Sequence, residues 1–460
     1  MTGLEPFFAG LDLAMNEAAL FAATGFIILG ASDLLVDLIW LAMAARSRLI
    51  RRPAPRVDGL RPPRRPGLLA IFVPAWDESE VIGRMLAHSL QRLRHGNYRI
   101  YVGCYPNDEH GIAAAAEVRD PRVRLVVGEA PGPTTKADCL NRIWNAMVRD
   151  ERADGQRVKA VILHDAEDVV DPEELRIFDS AIERYDMVQL PVLPLLDENS
   201  RWIAGHYADE FAEAHAKEMV VRQAVGAAVP SAGVGCAFSR EALEEVARSA
   251  GGAPFDAASV TEDYELGLRL RERGRSAAFV RLLAGTGRVP VVTREYFPGT
   301  LDAAVRQKAR WMTGIALSGW DRLGWHGGIA ERWMRVRDRQ SVLAAICLGA
   351  AYFASLAWTM LGLRQILLGA APQPVAPGLT VLLQINLAML IWRLVMRFGF
   401  VAHAYGWREG LRSSPRIIVS NAIAMLAARR AILRYLTVRR TGSTRWEKTA
   451  HAFPAEIAVK

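Results

Sequence analysis

Three acidic turns in the first half of the chain follow short β-rich runs, and their residue types could do chemistry together. Pro74-Ala75-Trp76-Asp77-Glu78 follows the run 68–73, and Asn107-Asp108-Glu109 comes after 100–104. His164-Asp165-Ala166-Glu167-Asp168 closes the run 160–164. In an open α/β sheet, residues just past the carboxyl ends of strands face the ligand crevice. Carboxylates gathered there repel unless a cation sits among them, and Mg2+ combines carboxylate oxygens with substrate phosphates. A metal–diphosphate site is the economical reading. Each turn alone could be a solvated helix cap, and for Asp171, ahead of Pro172 and Glu173, the cap is the better reading.

A second constellation lies at Gln307, Arg310 and Trp311, whose i, i+3, i+4 spacing puts them on one helical face. The surrounding LDAAVRQKARWMTGIALSGW also reads as an amphipathic helix lying on a membrane, and the two readings are compatible.

The elements that must position these residues alternate short β-rich runs with longer helical ones, which signals parallel α/β layering. Strands are expected at 68–73, 100–104, 123–127, 160–164 and 187–190, with helices at 80–93, 113–119, 137–148 and 172–184. Three apolar runs flank that domain. Residues 18–45 are long enough to span a bilayer, and Arg46, Arg48, Arg51 and Arg52 follow at once. The stretch 1–17 carries acids and no Lys or Arg, so the positive-inside rule puts it on the outer side. A signal peptide would carry its basic residues ahead of the apolar run, not behind it.

Runs at 341–369 and 379–401 make a second and third span around an uncharged, Pro-containing hairpin. The fourth apolar piece, 417–428, is short for a span and reads as an interfacial helix. The expected organisation is an outer N-terminus (1–17), a first span (18–45), a basic linker (46–66) and an α/β domain (67–298). Interface helices (299–340), two spans and an inner C-terminal segment (402–460) follow. Within the spans, Asp33 and Asp37 fall at the depths of Arg393 and Arg397, so Asp33–Arg393 and Asp37–Arg397 pairs are expected.

Composition sets the bounds. The chain has 460 residues, 51% of them hydrophobic and 23% charged, which excludes disorder and low complexity. The net charge of +8 invites an anionic partner, but the basic residues cluster beside the apolar runs, where topology explains them, and nucleic acid is set aside. Cys104, Cys139, Cys236 and Cys347 form no CxxC pair, which argues against structural zinc and fits a reducing compartment.

Five motifs stand in order along this stretch: VPAWDESEVI, TTKADCLN, DAE at 165–167, SVTEDYELGLRL and QKARW. The ordered set resembles the processive-type family-2 glycosyltransferases, which have a GT-A nucleotide-sugar fold inserted between transmembrane helices. YPND, LHDAED and WEKTAHAFP make the chain most similar to a phage-adsorption type within that family. The resemblance implies an inner-membrane, inverting enzyme that elongates and exports a polysaccharide from a nucleoside-diphosphate sugar. UDP-N-acetylhexosamine is the implied donor, and a growing glycan or lipid-linked carrier the acceptor. Membrane lipids and an outer-membrane export partner are implied as well.

By the same resemblance, Asp165 and Glu167 would hold a divalent cation (Mg2+ or Mn2+), a role that Asp168 beside them could share. Lys136 would add charge near the donor, Asp108 would contact the nucleobase, and Pro74 and Glu78 would line the donor site. Asp263, with Glu262 beside it, would be the catalytic base, against the plainer reading of a helix cap in which Thr261 competes. Gln307, Arg310 and Trp311 would serve diphosphate and acceptor. Gly235 and Cys236, in the small-residue segment 233–237, would form the acceptor loop, with a tight turn before Arg240 as the alternative. Transfer of one sugar to a lipid carrier, and a non-catalytic adsorption scaffold, are the competing functions.

Overall fold

The computed structural model describes residues 5–51, 53–285, 287, 289–368, 375–441 and 452–454. Most of the expected hairpin between the second and third apolar runs, and most of WEKTAHAFP, lie outside the described residues.

A first helix, α1 (Glu5–Leu49), leads to β1 (Leu68–Pro74), buried at every position as a strand covered on both faces must be. Then follow α2 (Ile82–Arg92), β2 (Tyr98–Cys104), α3 (Glu109–Ala116), β3 (Val123–Val127), α4 (Lys136–Asp154) and β4 (Val158–Leu163). Thr135 starts α4 by accepting the Asp138 amide at 3.2 Å, and Gly155 ends it in the left-handed region at φ +66°. After α5 (Glu174–Ala181) and β5 (Met187–Gln189), α6 (Ile203–Glu213) runs through a π-turn (Ala214–Glu218) into α7 (Met219–Ala224). The domain continues with β6 (Cys236–Ser239), α8 (Arg240–Ser249), α9 (Glu262–Glu272) and β7 (Ala277–Phe279).

The strands form one seven-stranded sheet in the order β3-β2-β1-β4-β6-β5-β7. The expected parallel layering holds for β1 to β4, while β6, not foreseen as a strand, runs antiparallel to both β4 and β5. Four residues bounded by Gly235 and a helix are too short to show a direction in sequence. β1 pairs with β2 on one side and β4 on the other, so the chain reverses its winding there. Ligands bind at such a switch point, where the ends of β1 and β4 lie side by side. Alternate residues feed two cores: Ile71, Ile100 and Ile162 pack with Met85 and Phe178, and Phe72, Tyr101 and Val161 pack with Leu140 and Trp144.

Among the described residues, three helices are long and apolar enough to cross a membrane: α1, α13 (Ser341–Leu368) and α14 (Pro377–Tyr405). Before them come α10 (Leu301–Trp311), a second π-turn (Met312–Ser318), α11 (Gly319–Leu323) and α12 (Ile329–Arg339); α15 (Trp407–Thr441) follows. Small residues on α1 admit the other two. Asn386 of α14 donates to the Ala23 carbonyl at 3.0 Å, and Gly25 lies against the Cys347 sulfur of α13. The first helix begins at Glu5, well ahead of the expected start at 18. The α/β domain and α12 hold its later part: Trp333 donates to Ser32 Oγ at 2.8 Å, and Trp40 to the Ala216 carbonyl at 3.1 Å. α15 absorbs the fourth apolar piece into one helix and buries Ile423, Ala427 and Ala431 against Tyr207 and Ala304.

One expected charge pair forms and the other does not. Arg393 lies 3.3 Å from Asp33, which also takes Arg337 at 2.8 Å. Asp37 is instead bound by Lys217 of the π-turn and by the Trp392 indole N–H at 2.7 Å, while Arg397 faces Glu213 at 3.9 Å. Depth along three helices cannot reveal a fourth element arriving from the α/β domain. Burial alone would raise the Glu213 carboxyl, but Arg393, Lys217 and Arg397 hold it down at about 2. Lys217 and Asp37 are both fully buried, so Lys217→Met should cost about 3–5 kcal/mol by stranding Asp37. Thermal unfolding of the detergent-solubilised chain measures this, and Lys217→Met with Asp37→Leu should recover part of the loss.

Candidate active site

Beyond the ends of β1 and β4 lies a cavity of about 740 Å3. Its wall takes Pro74 and Glu78 from the first turn, Lys136 from the start of α4, and Asp165 and Glu167 from the turn after β4. α9 contributes Glu262 and Asp263, and α10 contributes Gln307, Arg310 and Trp311. The same cavity extends to Asp33, Arg393 and Arg397 at the membrane helices. Ten of the expected site residues thus share one enclosure although they span Pro74 to Trp311.

Lys136 is the central cation. Its Nζ lies 2.5 Å from Asp165 Oδ1. Burial would lower its pKa, yet Asp165, Glu262 and Asp263 together raise it, so it stays charged. Its position at the first turn of α4 follows from the Thr135 cap, which aims the side chain out of the helix start.

Asp263 sits in the first turn of α9, with Oδ1 accepting the adjacent Tyr264 amide at 2.8 Å. Neither capping expectation holds: Thr261 takes the cap position, but its side chain makes no capping bond. Burial pushes the Asp263 carboxyl above the ordinary aspartate range while Lys136 pulls the other way. Glu262 is pushed up to about 7, first by burial and then by Asp263. A carboxylate raised in this way is a stronger base than a surface aspartate.

Within the expected small-residue segment 233–237, Gly233 is the residue that approaches Asp263. Gly233 has φ +77°, and a Cβ there would strike Asp263 Oδ2. Gly235 instead packs on Thr293, and Cys236 is a buried β6 residue whose sulfur accepts from Ser231 Oγ at 3.1 Å. Neither lines the cavity among the described residues. Gly233→Ala should therefore displace Asp263 and lower kcat by about 100-fold, checked by steady-state kinetics beside circular dichroism of the same protein.

Asp108 lies beside this wall. Oδ1 accepts the Gly111 amide at 3.0 Å and Oδ2 accepts the Asp77 amide at 2.7 Å, which holds Asp77 at φ +54°. It braces the first turn through Asp77 and lies outside the cavity lining among the described residues. On α10, Lys308 turns away to Glu210 at 2.5 Å. Gln307 Oε1 is buried with no hydrogen-bond partner among the described residues. Trp311 rests edge-on against Tyr207 and Phe297, which fixes its ring at the cavity wall.

Two hard oxygen donors, Asp165 and Glu167, face the cavity, and among the described residues no cluster of three or more acidic, His or Cys side chains could hold a metal alone. Burial pushes the Glu295 carboxyl on the same wall well up, with Asp168, Glu167 and Asp165 adding to it, so several carboxyls crowd this end of the cavity. Two carboxylates facing the cavity fit a divalent cation that completes its shell from a diphosphate. Asp168 takes no part in the lining: fully buried, it accepts from His164 Nδ1 at 2.7 Å and from the Asp165 amide at 3.1 Å.

Glu295 and Phe297, and Glu210 and Glu213 on α6, all line the cavity without having been foreseen. Their segments carry no recognisable motif. Only the Pro at 298 and the apolar run before it hint at an ordered strap.

Residues 66–314 match the family described as Glycosyltransferase like family 2. The chain belongs to this family. Bacteriophage adsorption protein B of Escherichia coli strain K12 is 36% identical over 99% of this chain. Bacteriophage N4 adsorption protein B of Escherichia coli O157:H7 gives the same identity and coverage. The chain spans 64% of the length of these relatives. Among solved structures, the mannosyltransferase PcManGT from Pyrobaculum calidifontis, in complex with GDP-Man and Mn2+, is similar at 16% identity and a TM-score of 0.56. The match covers 91% of this chain and 99% of that one. At that identity the likeness concerns the fold, and this family-2 chain has the GT-A architecture with three candidate membrane helices around it.

Proposed function

We propose that the protein is an inverting glycosyltransferase of the bacterial inner membrane that uses a nucleoside-diphosphate sugar to elongate and export a polysaccharide. The observation that carries this reading is the single cavity that holds Lys136, Asp165 and Asp263 and continues to Asp33 and Arg393 at the membrane helices. Lys136 and Arg310 receive the diphosphate, and Trp311 offers a flat face to the acceptor sugar. Asp263 removes the acceptor hydroxyl proton as that oxygen attacks the anomeric carbon and the bond to phosphate breaks on the opposite side. Held by Asp165 and Glu167, Mg2+ or Mn2+ would supply positive charge to the departing diphosphate. Lys136 shares that task from the first turn of α4.

The relatives' naming as phage-adsorption proteins supports a surface glycan as the product, and UDP-N-acetylhexosamine is the first donor to try. A screen of nucleotide sugars on the detergent-solubilised chain, scored by metal-dependent release of nucleoside diphosphate and by product length, tests the proposal. Release with one sugar added to a lipid would replace elongation by single transfer. No release with any donor, while Asp263→Asn supports every cellular role, would leave a scaffold.

A further inference from the structure

Beneath the turn that carries Asp165 and Glu167 lies a group for which the proposed chemistry has no use. His164 is fully buried at the end of β4, between two fully buried carboxylates. Nδ1 is 2.7 Å from Asp168 Oδ2, and Nε2 is 2.9 Å from Glu174 Oε1 at the start of α5. With an acceptor on each side, both ring nitrogens donate.

Asp168 does a second job with the same oxygen. Oδ2 accepts the Asp165 amide at 3.1 Å, and the Asp168 amide donates to the Asp165 carbonyl at 3.2 Å. The turn is thereby closed twice, once through backbone and once through a side chain that His164 holds. Asp168 Oδ1 and Glu174 Oε2 are buried with no hydrogen-bond partner among the described residues. Such a triad is a costly way to fill a core, because well-packed apolar side chains of similar size would stabilise it at least as well. What apolar side chains could not do is fix the direction of the turn, so that residues 165 and 167 face the cavity and 168 faces inward.

We propose that His164 is the positioning residue of the cation site, holding Asp168 against α5 so that the turn presents Asp165 and Glu167 as a divalent-ion pair. The inference rests on the reading of those two carboxylates as cation ligands. Groups that orient ligands from behind commonly change metal affinity by about 10- to 100-fold when replaced.

The test uses the full chain in detergent with UDP present, and free Mn2+ counted by electron paramagnetic resonance, alongside its melting temperature. His164→Gln should bind Mn2+ about 10-fold or more weakly, and its kcat should recover at high Mn2+ with the donor KM within about 2-fold of the parent's. Glu174→Gln, which leaves the turn itself untouched, should weaken Mn2+ by a smaller factor and serves if His164→Gln does not fold. Asp165→Asn separates the two ideas. If it binds Mn2+ like the parent, the ligand reading fails. If it loses Mn2+ while His164→Gln, or a folded Glu174→Gln in its place, keeps the parent affinity, the role of His164 alone is overturned.

Discussion

An Asp263→Asn protein is expected to fold, to hold nucleotide as before, and to lose turnover by 10²- to about 10⁴-fold, the range that a positioned base contributes. The amide keeps the shape that fits under Gly233 and can still accept the Tyr264 amide, so little but basicity changes. The pH profile gives an independent check. A base at Asp263 would act deprotonated, and burial raises its carboxyl, so kcat should fall as pH drops through that raised value. The acid limb should therefore sit above the value near 4 of an ordinary aspartate. A limb at or below that value, or an Asp263→Asn protein with near-parental turnover, would assign the base elsewhere.

Lys136→Met should cost about 10²- to 10³-fold in kcat, because it removes a preorganised charge from the leaving-group side. A second consequence distinguishes it from any other donor contact. Lys136 also faces Asp165, Glu262 and Asp263, and it opposes the upward push on Asp263. Its loss should move the acid limb of the variant to higher pH, measurable wherever residual turnover allows a profile. A drop in kcat with an unmoved limb would confine Lys136 to the donor. Lys136→Arg should restore the charge but not the 2.5 Å contact with Asp165, since a guanidinium needs more room.

The parts of this site that could be read from residues are those in which short-range geometry does the work. A strand that ends in an acidic turn delivers its carboxylates to the sheet edge, and a helix places Gln307, Arg310 and Trp311 on one face whatever surrounds it. The three candidate spans followed from length and apolar content alone. Expectation failed where a partner comes from far along the chain. The two backbone amides on Asp108, one of them 31 residues away, could not be foreseen. Asp37 was matched to Arg397 by depth, but Lys217, 180 residues on, reaches it first.

Fold class, ordered motifs and helices suited to lipid are legible in the residues, because period, turn chemistry and apolar length are local properties. Only the folded chain shows that β6 enters backwards, that Gly233 lies against the Asp263 carboxyl, and that Asp168 bonds to His164. Those outcomes depend on which groups compete for the same space and the same hydrogen bonds, a competition between residues brought close only by folding.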